Sequence, residues 1–97
     1  MAEPIKSYQD LIAWKKAFGL GCTIHKLAGK LPPDERFGLV ASLRRQGRQV
    51  ASRVAQGYGR GNTGDYLHFL EQARGELYEM DTDLLFALTF EFVETVE

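Results

Sequence analysis

The sequence holds one cysteine, Cys22, and three prolines, all within the first 33 residues. A single cysteine excludes an intramolecular disulfide and fits a reducing cytoplasm, which is the expected location. The first ten residues, MAEPIKSYQD, lack the apolar core of a secretory signal. The longest apolar run, Leu84–Leu88, falls far short of the ~20 residues that span a bilayer, so no membrane role is expected. Strand alternation is also missing, except in the final FEFVETVE. With no other strand to pair with, that tail is expected to be a continued helix or a frayed end. Ninety-seven residues suffice for one domain, 1–97, with a modest core.

Acidic residues are missing from the middle of the chain. Residues 36–64 contain six arginines and no carboxylate, whereas residues 65–97 contain nine carboxylates and one arginine. Residues 1–35 are nearly balanced, with five lysines and four carboxylates. Such segregation suits either helices packed with complementary fields or an anion-binding surface.

What is present is helical periodicity, and the fold class it predicts is all-α. A first helix is expected over about residues 7–30, capped by Ser7 with Asp10 three residues on. Leu11, Trp14, Phe18, Gly21, Cys22, His25 and Gly29 form its expected buried stripe, and Leu20 and Leu27 a second apolar row pointing elsewhere. The glycines in this helix are tolerable where a neighbouring helix approaches closely. LPPDE then breaks the chain.

A second helix is expected over about 34–58, with Phe37, Val40, Leu43, Gly47, Val50, Val54 and Tyr58 buried. The helical signal stops at 59–62 and is followed by a third helix over about 63–90, capped by Asn62 or Thr63. Tyr66, Leu70, Ala73, Leu77, Met80, Leu84 and Ala87 recur along it at alternating spacings of four and three, with Leu85, Leu88 and Phe92 as an offset row. Three such helices pack as an antiparallel up-and-down bundle with a short or missing fourth element. The rows Leu20/Leu27 and Leu85/Leu88 then remain uncovered, so the chain is expected to form a homo-oligomer.

The stretch GYGRGNTG poses a choice. Gly59, Gly61 and Gly64 fit the G-x-G-x-x-G spacing that cradles a pyrophosphate. That loop requires a preceding strand, and here a helix precedes it. Gly57, Gly59, Gly61 and Gly64 therefore read as a helix-linking loop, in which Gly57 or Gly59 takes the left-handed conformation and Gly59→Ala damages the fold. The nucleic-acid or anion-binding candidates are Arg44, Arg45, Arg48, Arg53 and Arg60. Arg44 and Arg48 flank one side of the buried stripe, Arg53 and Arg60 the other, and Arg45 points away. The competing expectation is that Arg44 pairs with Glu76 or Asp83 while Arg45 contributes nothing to the fold.

No catalytic constellation emerges, and no enzyme activity, cofactor or metal is expected. His25 lies on the predicted core stripe, Cys22 reads as a small hydrophobe, and Asp65 with His68 is only a fragment of a metal motif. Trp14 beside Lys15 and Lys16 is read as core or interface packing rather than a base-stacking platform.

The separate motifs YQDLIAWKKAF (8–18), ERFGL (35–39), LRR (43–45), AQGYGRG (55–61), Y-x-x-F-L (66–70) and ARGEL (73–77) occur in one order. Together they resemble the bacterial family of small helical-bundle proteins first noticed as products of intervening sequences in 23S ribosomal RNA genes. The resemblance implies a four-helix antiparallel bundle in a ring-like homopentamer. A related branch, the accessory protein of diversity-generating retroelements, implies RNA, DNA or a reverse transcriptase as further partners. Ala55-Gln56-Gly57 stands where the family has A-E-G. Val50-Ala51-Ser52-Arg53 stands where it often has a proline, which predicts a straighter second helix.

Overall fold

In the computed structural model, which describes residues 4–92, three helices account for most of the chain: α1 (Ile12–Ala28), α2 (Leu39–Gly59) and α3 (Thr63–Thr89). No strand occurs among the described residues. Two short 3-10 turns, Tyr8–Asp10 and Pro33–Glu35, precede α1 and α2. They correct the first two expected helix starts. Ser7 and Asp10 do form a capping box, with Ser7 Oγ accepting from Gln9 N at 3.2 Å and Asp10 Oδ2 accepting from Ser7 N at 3.2 Å. It caps the 3-10 turn, because Leu11 is extended and delays α1 to Ile12. Likewise Pro33-Asp34-Glu35 makes only one tight turn, and the Glu35 carboxylate accepts from Leu39 N at 3.4 Å, where α2 begins.

The middle helix carries the other two. Contacts pair ascending numbers on one helix with descending numbers on its neighbour: Gly21 with Gly47 and His25 with Arg44, then Gln46 with Asp83 and Gly57 with Phe69. Val40, Leu43, Val50 and Val54 of α2 are buried, and Leu43 is wholly so. No Cα of α1 comes within 8 Å of one in α3. The three helices therefore stop short of a closed bundle. The radius of gyration is 15.2 Å, against about 12.5 Å for a compact domain of this length.

Glycines set both contacts of α2. A Cβ on Gly21 would lie 2.8 Å from the Gly47 carbonyl oxygen, so α1 crosses α2 backbone against backbone. On the other side, a Cβ on Gly57 would lie 2.8 Å from Phe69 Cβ and 3.1 Å from the Tyr66 ring. The expected stripe of α1 is thereby rotated. Ala17, Ile24 and Ala28 are buried, Leu20 and Leu27 pack partly against the core, and Phe18, Cys22, His25 and Gly29 face outward. The row expected to drive association from Leu20/Leu27 is thus inside the subunit, whereas Leu85 and Leu88 are exposed as expected. On α2, Phe37 leaves the core and is 89% exposed, because the helix starts two residues after it. On α3, Ala73, Met80 and Ala87 are buried, joined by Phe69, which the heptad rhythm omits.

The glycine loop corrects a further expectation. Gly57 and Gly59 are the last turn of α2, and the left-handed residue is Gly61, with φ of 79°. Asn62 caps α3, accepting from Asp65 N at 2.9 Å. At the other end, Thr89 is the last helical residue. Glu91 takes φ of 61°, its N–H reaches Leu88 O at 3.0 Å, and Phe92 N–H reaches Ala87 O at 2.9 Å. This closing turn ends the helix at Thr89, near its expected end at about residue 90. Of the two expectations for the tail, a continued helix or a frayed end, the first fails, because the helix does not continue through Phe92. Residues 93–97 of the expected tail lie outside the described residues.

These placements reverse the expectation for Gly59, whose added Cβ would meet nothing within 4 Å. Gly59→Ala should leave stability unchanged or raise it by up to about 1 kcal/mol. Gly57→Ala forces Phe69 or the helix backbone to move and should cost about 1–3 kcal/mol. Urea denaturation of both variants checks the pair. Equal midpoints would contradict the close approach of α2 and α3.

Candidate functional site

The five candidate arginines do not converge. They divide between the two flanks of α2. Arg44 turns to α1, donating from Nε at 3.3 Å and Nη2 at 3.1 Å to the His25 carbonyl oxygen. That carbonyl lies in the last turn of α1, where the helix leaves acceptors unfilled and its dipole is negative. The expected pairing of Arg44 with Glu76 or Asp83 is therefore wrong. Its Cα lies on the α1 side, and α2 stands between it and α3.

Arg45, expected to point away and do nothing, makes the ion pairs instead. Its guanidinium lies 3.7 Å from Glu76 Oε2 and 3.7 Å from Glu79 Oε2, both on α3. Asp83 is taken by Gln46, whose Nε2 donates to Asp83 Oδ2 at 3.0 Å. Gln46 is the buried polar residue of the core, 3% exposed, and its Oε1 has no protein partner. Sequence reasoning missed this contact. The available signal was a glutamine one residue from the buried Gly47, inside an apolar stripe.

Arg60, at the C-terminus of α2, lies with its Cζ 5.2 Å from the centre of the Phe69 ring, a cation–π geometry. Arg53 is half-buried, and its Nε is buried without a partner. Arg48 is exposed and lines a groove between α1 and α2 with Lys26, His25, Cys22 and Phe18. The groove has a volume of about 490 Å³, and no carboxylate lines it. Of the five arginines, Arg48 sits beside another positive side chain, Lys26, on an open face. Cys22 and His25, expected inside, are exposed on its wall. Trp14 stacks on Phe18 with centroids 5.0 Å apart and meets Tyr8 edge-on at 5.2 Å, which accords with its reading as a packing residue.

A second apolar trough lies over α2 where α1 and α3 fail to meet. Ala17, Leu20, Val50, Val54, Ala73 and Leu77 line it, with Lys16 and Arg74 at its edges, and its volume is about 300 Å³. Gly61, with Tyr58, Asn62, Thr63 and Tyr66, borders a separate hollow at the α2–α3 link. Gly64 falls in the first turn of α3. Among the described residues, no three His, Cys, Asp or Glu side chains gather as a metal set. No helix of the described chain is long and apolar enough to cross a membrane.

The two arginine contacts differ in kind, and salt separates them. Arg44 donates to a neutral carbonyl at a helix end, so Arg44→Ala should cost about 1–2 kcal/mol. Arg45 is half-exposed and its pairs are long, so Arg45→Ala should cost about 0.2–1 kcal/mol. In 1 M salt the Debye length falls to about 3 Å, and the Arg45 penalty should largely vanish while the Arg44 penalty persists. Thermal melts of both variants at low and high salt read this directly. An Arg45 penalty indifferent to salt would contradict the ion-pair assignment.

A comparison with curated proteins finds no match. A family model described as 23S rRNA-intervening sequence protein matches residues 9–97. That span takes in all three helices, the arginine-rich middle and the glycine link, and the chain belongs to the 23S rRNA-intervening sequence protein family.

Proposed function

We propose that this protein is a non-enzymatic assembly module: a helical bundle that works as a homo-oligomer and presents basic surface to a nucleic acid or nucleoprotein partner. The observation that carries the assembly part is the trough over α2. Its walls are apolar and its floor is the core valines Val50 and Val54, so core residues border open space in a single subunit. An apolar trough of this kind is the surface that a further helix, from this chain or another copy, would cover in a four-helix bundle. Phe18, Leu67, Leu85, Phe86 and Phe90 are exposed elsewhere on the surface. A monomeric protein rarely keeps so much apolar surface in water. The pentameric ring implied by the resemblance is the stoichiometry we propose. Sedimentation equilibrium tests it: the expected result is a single species of several subunits at micromolar concentration, and a stable monomer there would overturn the assembly reading.

The nucleic-acid part rests on the groove bearing Lys26 and Arg48. Two cations stand there with His25, and no carboxylate lines the surface. Arg44, Arg45 and Arg60 are engaged within the subunit, so they supply less to this reading than the sequence implies. Lys26→Ala/Arg48→Ala should weaken binding to RNA and DNA alike. Removal of one phosphate-binding cation should flatten the slope of log K against log salt by about 0.7–0.9. An unchanged slope would remove the groove from the interface. Absence of salt-sensitive binding by the wild-type protein would leave the protein as a purely structural interaction module, with its arginines serving packing and subunit contacts.

A further inference from the structure

A hollow of about 450 Å³ opens between α2 and α3, whereas the groove of Arg48 lies between α2 and α1. Gln46 lines its floor. This residue is 3% exposed, and its amide is held in one orientation, with Nε2 donating to Asp83 Oδ2 at 3.0 Å. Turning the amide over would set its oxygen against the carboxylate, two acceptors with no proton between them. The oxygen must therefore find a donor elsewhere, and no described residue supplies one. Buried acceptors are nearly always filled, so this one points to a donor from outside the subunit.

The walls of the hollow are short of donors as well. Asp83 is half-buried and receives only the neutral amide of Gln46; among the described residues it makes no ion pair. Glu79 stands at the rim and shares the guanidinium of Arg45 with Glu76. Of the ionised side chains lining the hollow, Arg45 is the one cation against Glu79 and Asp83. Arg74 does not offset them, because it borders the apolar trough toward α1. The remaining wall is Tyr78, 65% exposed.

We propose that this hollow takes the guanidinium of an arginine side chain from a partner protein. The forked N–H groups of a guanidinium can meet the Asp83 carboxylate and the Gln46 oxygen together, while its plane lies on the Tyr78 ring. An ammonium is a compact point charge and does not match all three at once. An anion is repelled by Asp83 and Glu79. A protein is the source because the hollow is open at Tyr78 and Glu79, whereas sites for free small molecules bury most of their ligand. The site needs neither nucleic acid on the α1 flank nor a second copy of this chain.

The test is amide NMR of the isotope-labelled full chain, with a blocked alanine-rich peptide bearing one central arginine as the probe. Titration should shift the Gln46 side-chain amide and the backbone amides of Tyr78 and Asp83, with a Kd on the order of 1 mM. The same peptide with citrulline, neutral and of the same shape, should not bind, and its lysine analogue should bind about threefold more weakly. Asp83→Asn should weaken binding about tenfold. Gln46→Leu keeps the volume, removes the amide oxygen and should weaken it as well. Arg45→Ala removes the competing cation and should tighten binding about two- to fivefold, a gain that mere damage to the fold would not give. Far-UV circular dichroism reports folding, and if Gln46→Leu loses helicity, Asp83→Asn and Arg45→Ala decide. Absence of shifts, equal binding of the citrulline or lysine peptide, or shifts spread along α3 and indifferent to Asp83→Asn would overturn the site. Ethylguanidinium bound as tightly as the peptide would overturn the protein source. Sedimentation velocity should give Asp83→Asn and wild type the same subunit number; a loss of assembly would make the hollow a subunit contact and sink the proposal.

Discussion

The backbone contact between Gly21 and Gly47 is the constraint on which the rest of this structure depends. Any side chain at Gly21 would meet the carbonyl of Gly47 at less than van der Waals distance, so the crossing exists only with glycine. It draws α1 onto α2 and turns Ile24 and Ala28 inward. By the same rotation it turns Phe18, Cys22 and His25 outward. It also brings the end of α1 within reach of Arg44, which holds the last-turn carbonyl of His25. Gly57 repeats the device on the opposite side, where Phe69 and Tyr66 press on the α2 backbone. The middle helix is thus a spine with one close contact on each flank.

A spine of this kind determines what the arginines can do. Placed every few residues round α2, they fall within reach of different neighbours. Arg44 meets α1, Arg45 and Arg60 meet α3, and Arg48 remains at an open groove. A strongly basic stretch of sequence therefore does not become one strongly basic surface. Part of its charge is balanced by α3, part fills a helix terminus, and part lies over an aromatic ring. Among the described residues the lysines of α1 make no ion pair, and the pairs that form join Arg45 to Glu76 and Glu79.

The trough over α2 and the outward faces of α1 and α3 have one origin. Two helices bound to opposite flanks of a third cannot touch unless they lean together, and the glycine contacts keep them apart. Core valines then border a trough, and apolar side chains recur on both outer helices. Membership of the 23S rRNA-intervening sequence protein family is consistent with this layout, since the matched span runs through every element that creates it. In this protein the uncovered apolar surface follows from how the helices cross and needs no defect in their patterning.

The all-α class and the three long helices were legible in the sequence, as was a break between the second and third helices, although Gly57, Gly59 and Gly64, read as part of that link, lie in the helices themselves. Hydrophobic period, proline pairs and glycine clusters are local signals, and each acts on the residues beside it. Most of the α2 stripe was legible as well, because Val40, Leu43, Gly47, Val50 and Val54 recur at helical spacing, whereas Phe37 fell outside the helix and on α3 the heptad rhythm omitted the buried Phe69 and included the exposed Leu77. The face of α1 was decided only by tertiary structure. Its apolar residues spread over more than half the helix, so periodicity could not choose between the Phe18–Cys22 row and the Leu20–Leu27 row. The choice fell to the glycine crossing, which depends on a residue in another helix. The roles of Arg44 and Arg45 were hidden for the same reason. Which acid or carbonyl a long side chain reaches depends on the spacing between helices, and spacing along the chain carries no record of it.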